Sequence, residues 1–332
     1  MATTVSPAAS RKGGRRRSSK FSRANRRTLV WMTGVPSVLH ITFVWVPALA
    51  TIVLSFTKWD GIQGFSKIRF IGFRNYWEIF TVFEDTLSAA LFNNVLLLGF
   101  LFFGPTLLGM FLAYLLDKNI RGTAIYQSIF YFPVVLSLAV VGVIWKSVIY
   151  SPRQGLVNTV LGRTKEGNQI DWLGDSHKIF SFHIPFLDNA LGPAKNFVAI
   201  LLAIAWRHTG YIMVLYLAGL KSVDPTLREA AAMDGCNEWQ TFRRVVFHVM
   251  KPINIIIIVI TIIEALRTFD IVAALRSPLG MELTSLLVTQ NLLGEGGGNV
   301  GRGSAYGVIL LLLCLGFIVW YVRNNFREEK RV

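Results

Sequence analysis

Three charged residues sit three positions apart in one apolar stretch: Glu264, Arg267 and Asp270. On a helix that spacing brings side chains to one face. Charge inside hydrocarbon is costly enough to mark either a function or a self-neutralising cluster. Two chemistries fit Arg267 and Asp270. They can neutralise each other and lock helices together, or they can hydrogen-bond the hydroxyls of a sugar on a translocation path. A second interruption, Trp206, Arg207, Thr209 and Gly210, supplies an aromatic face beside hydrogen-bonding groups. A sugar ring takes both kinds of contact, although Trp206 equally suits an aromatic belt at a membrane interface.

Catalytic arrangements are missing from the chain. There is no G-x-x-x-x-G-K-[ST], no H-E-x-x-H and no G-x-S-x-G. Of the five histidines, His40, His177, His183, His208 and His248, only His40 and His208 fall in apolar spans, where a buried, hydrogen-bonded structural role is expected. Cys236 belongs to a basic loop and Cys314 to an apolar run, so no disulfide and no Cys/His metal cluster is expected. No catalytic residue, cofactor or metal is predicted, and a membrane enzyme has little support.

The elements that must position these groups are apolar helices. The 332 residues are 53% hydrophobic and 16% charged, with a mean hydropathy of +0.49. A soluble domain carries roughly 25% charged residues. The composition excludes a disordered chain, a secreted disulfide scaffold and an ordinary soluble enzyme. Its long apolar runs exclude an outer-membrane barrel.

Six windows suit a crossing: Leu29–Phe56, Leu91–Leu116, Tyr126–Tyr150, Phe197–Leu220, Ile253–Ala274 and Ser304–Arg323. The third carries Lys146 near one end, where it can snorkel to the interface. Ala48-Leu49-Ala50 resembles a signal cleavage site, but the apolar run is too long for one and reads as an uncleaved anchor. Gly99, Gly104 and Gly109 with Pro105 predict close packing and a kink in the second span. The Gly294–Gly303 stretch reads as a flexible connection.

Orientation follows from the basic residues. Twenty Lys and Arg fall in the tail before Leu29, the loops 117–125 and 221–252, and the end of the chain from Arg323, against eleven in the other three loops. The positive-inside rule places both termini in the cytoplasm and 57–90 outside. Residues 1–28 read as a disordered basic tail, and 324–332 as a second cytoplasmic tail. The basic run Arg11–Arg17 reads as a topology determinant rather than a nucleic-acid site, so no nucleic-acid partner is expected.

The cytoplasmic loop Lys221–Pro252 is polar yet carries helix signals. Asp224 precedes Pro225 as cap and first residue, and Leu227–Asp234 follow as good helix formers. Gly235 can end this helix in the left-handed conformation. Asn237 then opens a second helix with Gln240 in a capping-box position. Trp239, Phe242, Val246 and Val249 make its apolar face. Two short helices at a membrane surface would form a firm bracket, either for a cytoplasmic partner or as a loop with none. Ala230-Ala231-Ala232 would leave a low surface for close approach.

Glu229-Ala230-Ala231, Asp234-Gly235, the apolar-basic helix and Pro252 resemble the EAA loop of permease subunits of bacterial binding-protein-dependent ABC importers. Further matches are Arg121-Gly122, Phe132-Pro133, Trp145, Gly155-Leu156-Val157-Asn158, Trp172-Leu173-Gly174, Trp206, Leu217-Ala218-Gly219-Leu220 and Phe269-Asp270. Together they resemble the carbohydrate-uptake branch over about Asn93–Tyr321. Phe247-His248 stands where the family usually has Leu-Pro, and Cys236 replaces an alanine.

The resemblance implies an all-α integral membrane protein of the type I ABC importer permease fold, with six transmembrane helices, a permease core over 91–323 and a cytoplasmic coupling-helix loop. Glu229, Ala230, Ala231, Asp234 and Gly235 would couple to ATPase subunits. Trp206, Thr209, Arg267 and Asp270 would line the substrate path. The implied partners are two ATPase subunits, a second permease, the lipid bilayer and an extracytoplasmic solute-binding protein seated on Ser151–Asn196 and Ser277–Arg302. The solute would be a sugar or sugar phosphate. An autonomous channel or ion-coupled carrier, with Glu264 and Asp270 as coupling sites, is the alternative. Reporter fusions after Val332 and within 221–252 should both report cytoplasm, and an external signal from that loop would exclude a coupling role for it.

Overall fold

A computed structural model of the chain describes residues 23–118, 120–183, 190–275, 280–294 and 298–329. It forms two compact units, 1–50 and 51–332. The first apolar helix, α1 (Arg27–Leu54), lies within two residues of the expected span. Trp31, Phe43 and Trp45 are exposed along it. A π-helical turn at Ile41–Trp45 precedes Pro47, whose ring cannot donate to the turn before it.

In the second unit a two-stranded antiparallel pairing (Thr57 with Phe70, Lys58 with Arg69) leads into α2 (Arg74–Thr81). Helix α3 (Glu84–Asp117) follows, starting about two turns before the expected Leu91. Its π-helical turn at Phe102–Thr106 contains Pro105, as the kink expectation requires. The expected third span is not one rod. It is α4 (Thr123–Val135) and α5 (Leu138–Ile149), meeting at 101°. Pro133 lies in the last turn of α4. Leu136 is extended, and Ser137 caps the new helix by accepting from the Val140 N–H. Helix α6 (Lys195–Ser222) is central and has the most buried residues. The bracket helices α7 (Pro225–Met233) and α8 (Glu238–Val249) follow.

The fifth span covers Lys251–Leu275, as expected, but with one interruption. Helix α9 (Lys251–Arg267) stops at an extended Thr268, and α10 (Asp270–Leu275) begins two residues later. A break at membrane depth leaves carbonyls without helical partners, and hydrocarbon offers no water to replace them. Side chains do so here. Asn94 on α3 donates to the Ala265 carbonyl at 3.3 Å and Ser285 to the Thr268 carbonyl at 2.6 Å, while the Glu264 carbonyl keeps the Thr268 N–H at 3.0 Å and also accepts from the Thr268 hydroxyl at 2.6 Å. Lys146 on α5 donates to the Leu275 carbonyl at 3.1 Å, so it caps α10 instead of snorkelling. Helix α11 (Thr284–Leu293) buries Thr284 through Leu287 inside what the sequence suggested was a loop.

The last helix, α12 (Val300–Glu329), starts within the supposed flexible glycine stretch and runs on into the expected tail. Gly301 and Gly303 are packed glycines of its first turns, close to Thr57 and Leu292, while 295–297 lie outside the described residues. The tail 1–22, including Arg11–Arg17, also lies outside them.

Close approaches hold α6 among its neighbours. A Cβ on Gly109 of α3 would lie 2.8 Å from the Thr209 carbonyl, and one on Gly210 would overlap the Phe130 carbonyl of α4. Gly99 and Gly104 make no such approach. Leu97, Phe197, Ile200, Ala265 and Ile271 fill one core at the break, and Ile212, Leu220, Phe242 and Met250 fill another beside the bracket. Gly210→Val should therefore force α4 off α6 and cost about 1–3 kcal/mol. Thermal unfolding in detergent will read this as a lower midpoint, and an unchanged midpoint would refute the close contact.

Candidate functional site

The bracket is built by its caps. The Asp224 carboxylate accepts from the Thr226 N–H at 2.9 Å, and Pro225 occupies the first turn of α7. That bond holds the Asp224 carboxyl below the usual carboxylate range. At the other end Gly235 adopts φ +79°. The N–H groups of Gly235 and Cys236 close onto the carbonyls of Ala232 and Ala231. Asn237 and Gln240 form the full reciprocal capping box, each bond 2.9 Å long.

Two ties that sequence reasoning missed lock the bracket to the spans. Arg228 donates to Asp117 at 2.7 Å and to the Leu220 carbonyl at 2.9 Å, joining α7 to the ends of α3 and α6. Lys118, following α3, donates to Glu238 at the start of α8, and this bond raises the Lys118 pKa above its ordinary value. Asp117 and Arg228, and Lys118 and Glu238, are opposite charges in two polar segments between spans, the one sequence signal available for these ties. A cavity of about 280 Å³ lies between the bracket and the spans, lined by Tyr114, Arg228, Cys236, Glu238 and Phe242.

The apolar face of α8 is only partly used. Phe242 and Val246 are buried and Trp239 stacks on Phe242, whereas Trp239 and Val249 are themselves exposed. On α7, Ala231 is buried against the chain, so the alanine run is not wholly free. Glu229 and Ala230 are exposed on α7, and Met233 is 89% exposed. Asp234 and Gly235 close its far end.

The second region is a cavity of about 480 Å³ beside the break between α9 and α10. Arg207 and Tyr211 of α6, Ser137 at the bend of the third span, and Glu264, Arg267, Thr268 and Asp270 line it. Arg267 and Asp270 thus do meet one cavity. They do not share a helical face, because α9 ends at Arg267 and the chain turns before Asp270. The structure records no ion pair between them among the described residues.

Glu264 instead bonds Arg207 at 2.8 Å and His208 Nδ1 at 2.9 Å. His208 is fully buried, with Nε2 3.3 Å from the Thr106 hydroxyl and 3.4 Å from that of Thr261. This is the hydrogen-bonded structural histidine expected from the sequence. Trp206 and Thr209 do not line this cavity. Trp206 sits edge-on to Trp145 with ring centres 6.1 Å apart, and Thr209 is buried facing Gly109.

The motif residues of the 151–196 segment also acquire places. Asn158 donates to the carbonyls of Pro152 and Ile170 and accepts from the Trp172 indole at 3.0 Å. Asp171 caps the N–H groups of Leu173 and Gly174.

Residues 105–330 match the family described as binding-protein-dependent transport system inner membrane component. The chain belongs to this family. It is 31% identical to the osmoprotective compounds uptake permease of Synechocystis, over 89% of this chain and 98% of that protein. The xylose/arabinose import permease of Haloferax volcanii is 29% identical, over 89% and 87%. Its fold is similar to a chain of a bacterial ABC transporter that imports the acidic polysaccharide alginate, with TM-score 0.73, 19% identity and coverage of 91% and 96%. The chain is thus a multi-pass membrane permease with the type I ABC importer permease fold.

In this permease the Arg207–Glu264 pair is the charged unit of the cavity, not Arg267 with Asp270. Removing one partner of a buried pair is strongly destabilising, and removing both is much less so. Arg207→Met should lower stability by about 3 kcal/mol, and adding Glu264→Leu should recover part of it, the remainder being the buried His208 Nδ1 left without its partner. Unfolding midpoints of the purified variants decide this, and a double variant as unstable as the single one would refute the pairing.

Proposed function

We propose that this permease is the membrane subunit of an ATP-driven sugar importer and moves solute by alternating access. An extracytoplasmic binding protein would deliver the solute. ATP would be hydrolysed in separate subunits, so this chain is non-catalytic, and a second permease would complete the pathway. The relatives that import xylose, arabinose and alginate support a sugar as the solute. The basic asymmetry supports cytoplasmic termini, an outer loop at 57–90 and a cytoplasmic bracket at 221–252.

The observation that carries this reading is the bracket. Helix α7 is capped at both ends and α8 at its start, the two are tied by Arg228–Asp117 and Lys118–Glu238, and Glu229, Ala230 and Met233 remain exposed. A rigid, protruding helix suits force transfer from an ATPase, with Glu229, Ala230, Ala231, Asp234 and Gly235 as its coupling residues. The cavity supports a solute path through Arg267 and Asp270. Trp206 and Thr209 lie on the same central helix, outside the cavity wall. The carrier alternative is weaker because Glu264, its coupling carboxylate, is already held by Arg207 and His208.

The test is Glu229→Lys. A reversed charge against a basic residue of the ATPase should cost about 2 kcal/mol or more, roughly thirtyfold in transport. Membrane insertion should be unchanged. Uptake of labelled sugar at normal protein level in this variant would exclude the coupling role.

A further inference from the structure

Helix α2 carries two opposed faces of unusual sense. Its inner face is bound to the chain's own second unit. Asn75 donates to the carbonyls of Ser55 and Thr57 at 2.8 Å, Tyr76 reaches the Ser55 hydroxyl at 2.7 Å, and Ile79 is fully buried. Arg302 of α12 lies 3.6 Å from Glu78 on that side. Phe73, Trp77 and Phe80 recur at intervals of four and three residues around the other side, and are 73%, 71% and 56% exposed. A helix that presents its aromatics outward while fixing its polar side inward is not built to face water.

Its place in the chain says what covers that face. The helix lies between the end of α1 at Leu54 and the start of α3 at Glu84, two membrane-crossing helices. Their connection on one side of the bilayer therefore runs at the height of the lipid headgroups. Phenylalanine and tryptophan suit that level, where apolar ring and polar surroundings meet. Phe70, just before the helix, is 78% exposed and continues the aromatic surface. Lys67 and Arg69 are exposed beside it and complement anionic headgroups, whereas Arg74 is paired with Glu78 at 2.9 Å.

We propose that the Phe73, Trp77 and Phe80 face of α2 is embedded in the lipid headgroup layer, making this helix a surface anchor rather than a docking site for another protein. The anchor fixes the height of the α12 start, because Asn75 and Glu78 hold α2 to Thr57 and Arg302. It does not depend on the solute or on which side of the membrane the loop faces.

The test uses the full chain carrying Cys236→Ser and Cys314→Ser, with a nitroxide label on Trp77→Cys or, separately, Phe80→Cys. The protein is reconstituted in nanodiscs of phosphatidylethanolamine and phosphatidylglycerol. Met233→Cys is the water-facing reference. Labels at 77 and 80 should collide readily with oxygen and several-fold less with a water-soluble nickel chelate than the label at 233. Nickel access equal to that at 233 would overturn the proposal by placing the face in water. Shielding from both reagents would overturn it in favour of a protein cover. If Trp77→Cys disturbs folding, the Phe80→Cys reading stands alone and decides between the same outcomes.

Discussion

A backbone carbonyl in hydrocarbon must find a donor within the protein, and the interior of this permease is arranged around that requirement. Interrupting a span between Arg267 and Asp270 exposes carbonyls that an unbroken helix would satisfy. Asn94 and Ser285, from two other helices, supply donors to the Ala265 and Thr268 carbonyls, and Lys146 caps the far end of α10 at Leu275. Asn94 also accepts from the N–H and hydroxyl of Thr284 at 2.9 and 3.1 Å, so a single side chain holds the break and the start of α11 together. The cavity lies beside the break, between α6, the bend of the third span and the end of α9, with Arg267 and Asp270 as the helix-end residues on either side of Thr268 and Phe269.

Local chemistry was legible where it acts within a few residues. The Asp224-Pro225 start, the Gly235 stop and the Asn237/Gln240 box each depend on one or two side chains and their own backbone, so type and spacing suffice. The presence of the spans was equally plain, because about 20 apolar residues leave few alternatives. Their continuity was not. Both broken spans remain apolar through the break, and hydropathy averages over the residues that matter. At Thr268 no proline or glycine marks the stop. Ser137 and Pro133 do mark the other bend, but a capping serine inside an apolar run is easily read as one more buried hydroxyl.

Pairing between distant segments was the other hidden layer. Glu264 is spaced to meet Arg267, yet it takes Arg207 and His208 from α6, because α9 packs along α6, with Gly219 of α6 against Ile253 of α9. Periodicity ranks neighbours along one helix and says nothing about a partner 57 positions away. The same limit hid Arg228–Asp117, although Arg228 lies inside the loop that carried the strongest resemblance.

The bend between α4 and α5 has a mechanical consequence. A straight rod carries axial load from end to end, whereas two half-rods joined at 101° transmit almost none of it along their length. Each half instead travels with what it touches: α4 lies along α6, and α5 is keyed to α10 through Gly142 against Ile271 and Ala274. The two halves of one span thus belong to different neighbours, and Ser137, at the joint between them, lines the cavity where those neighbours part.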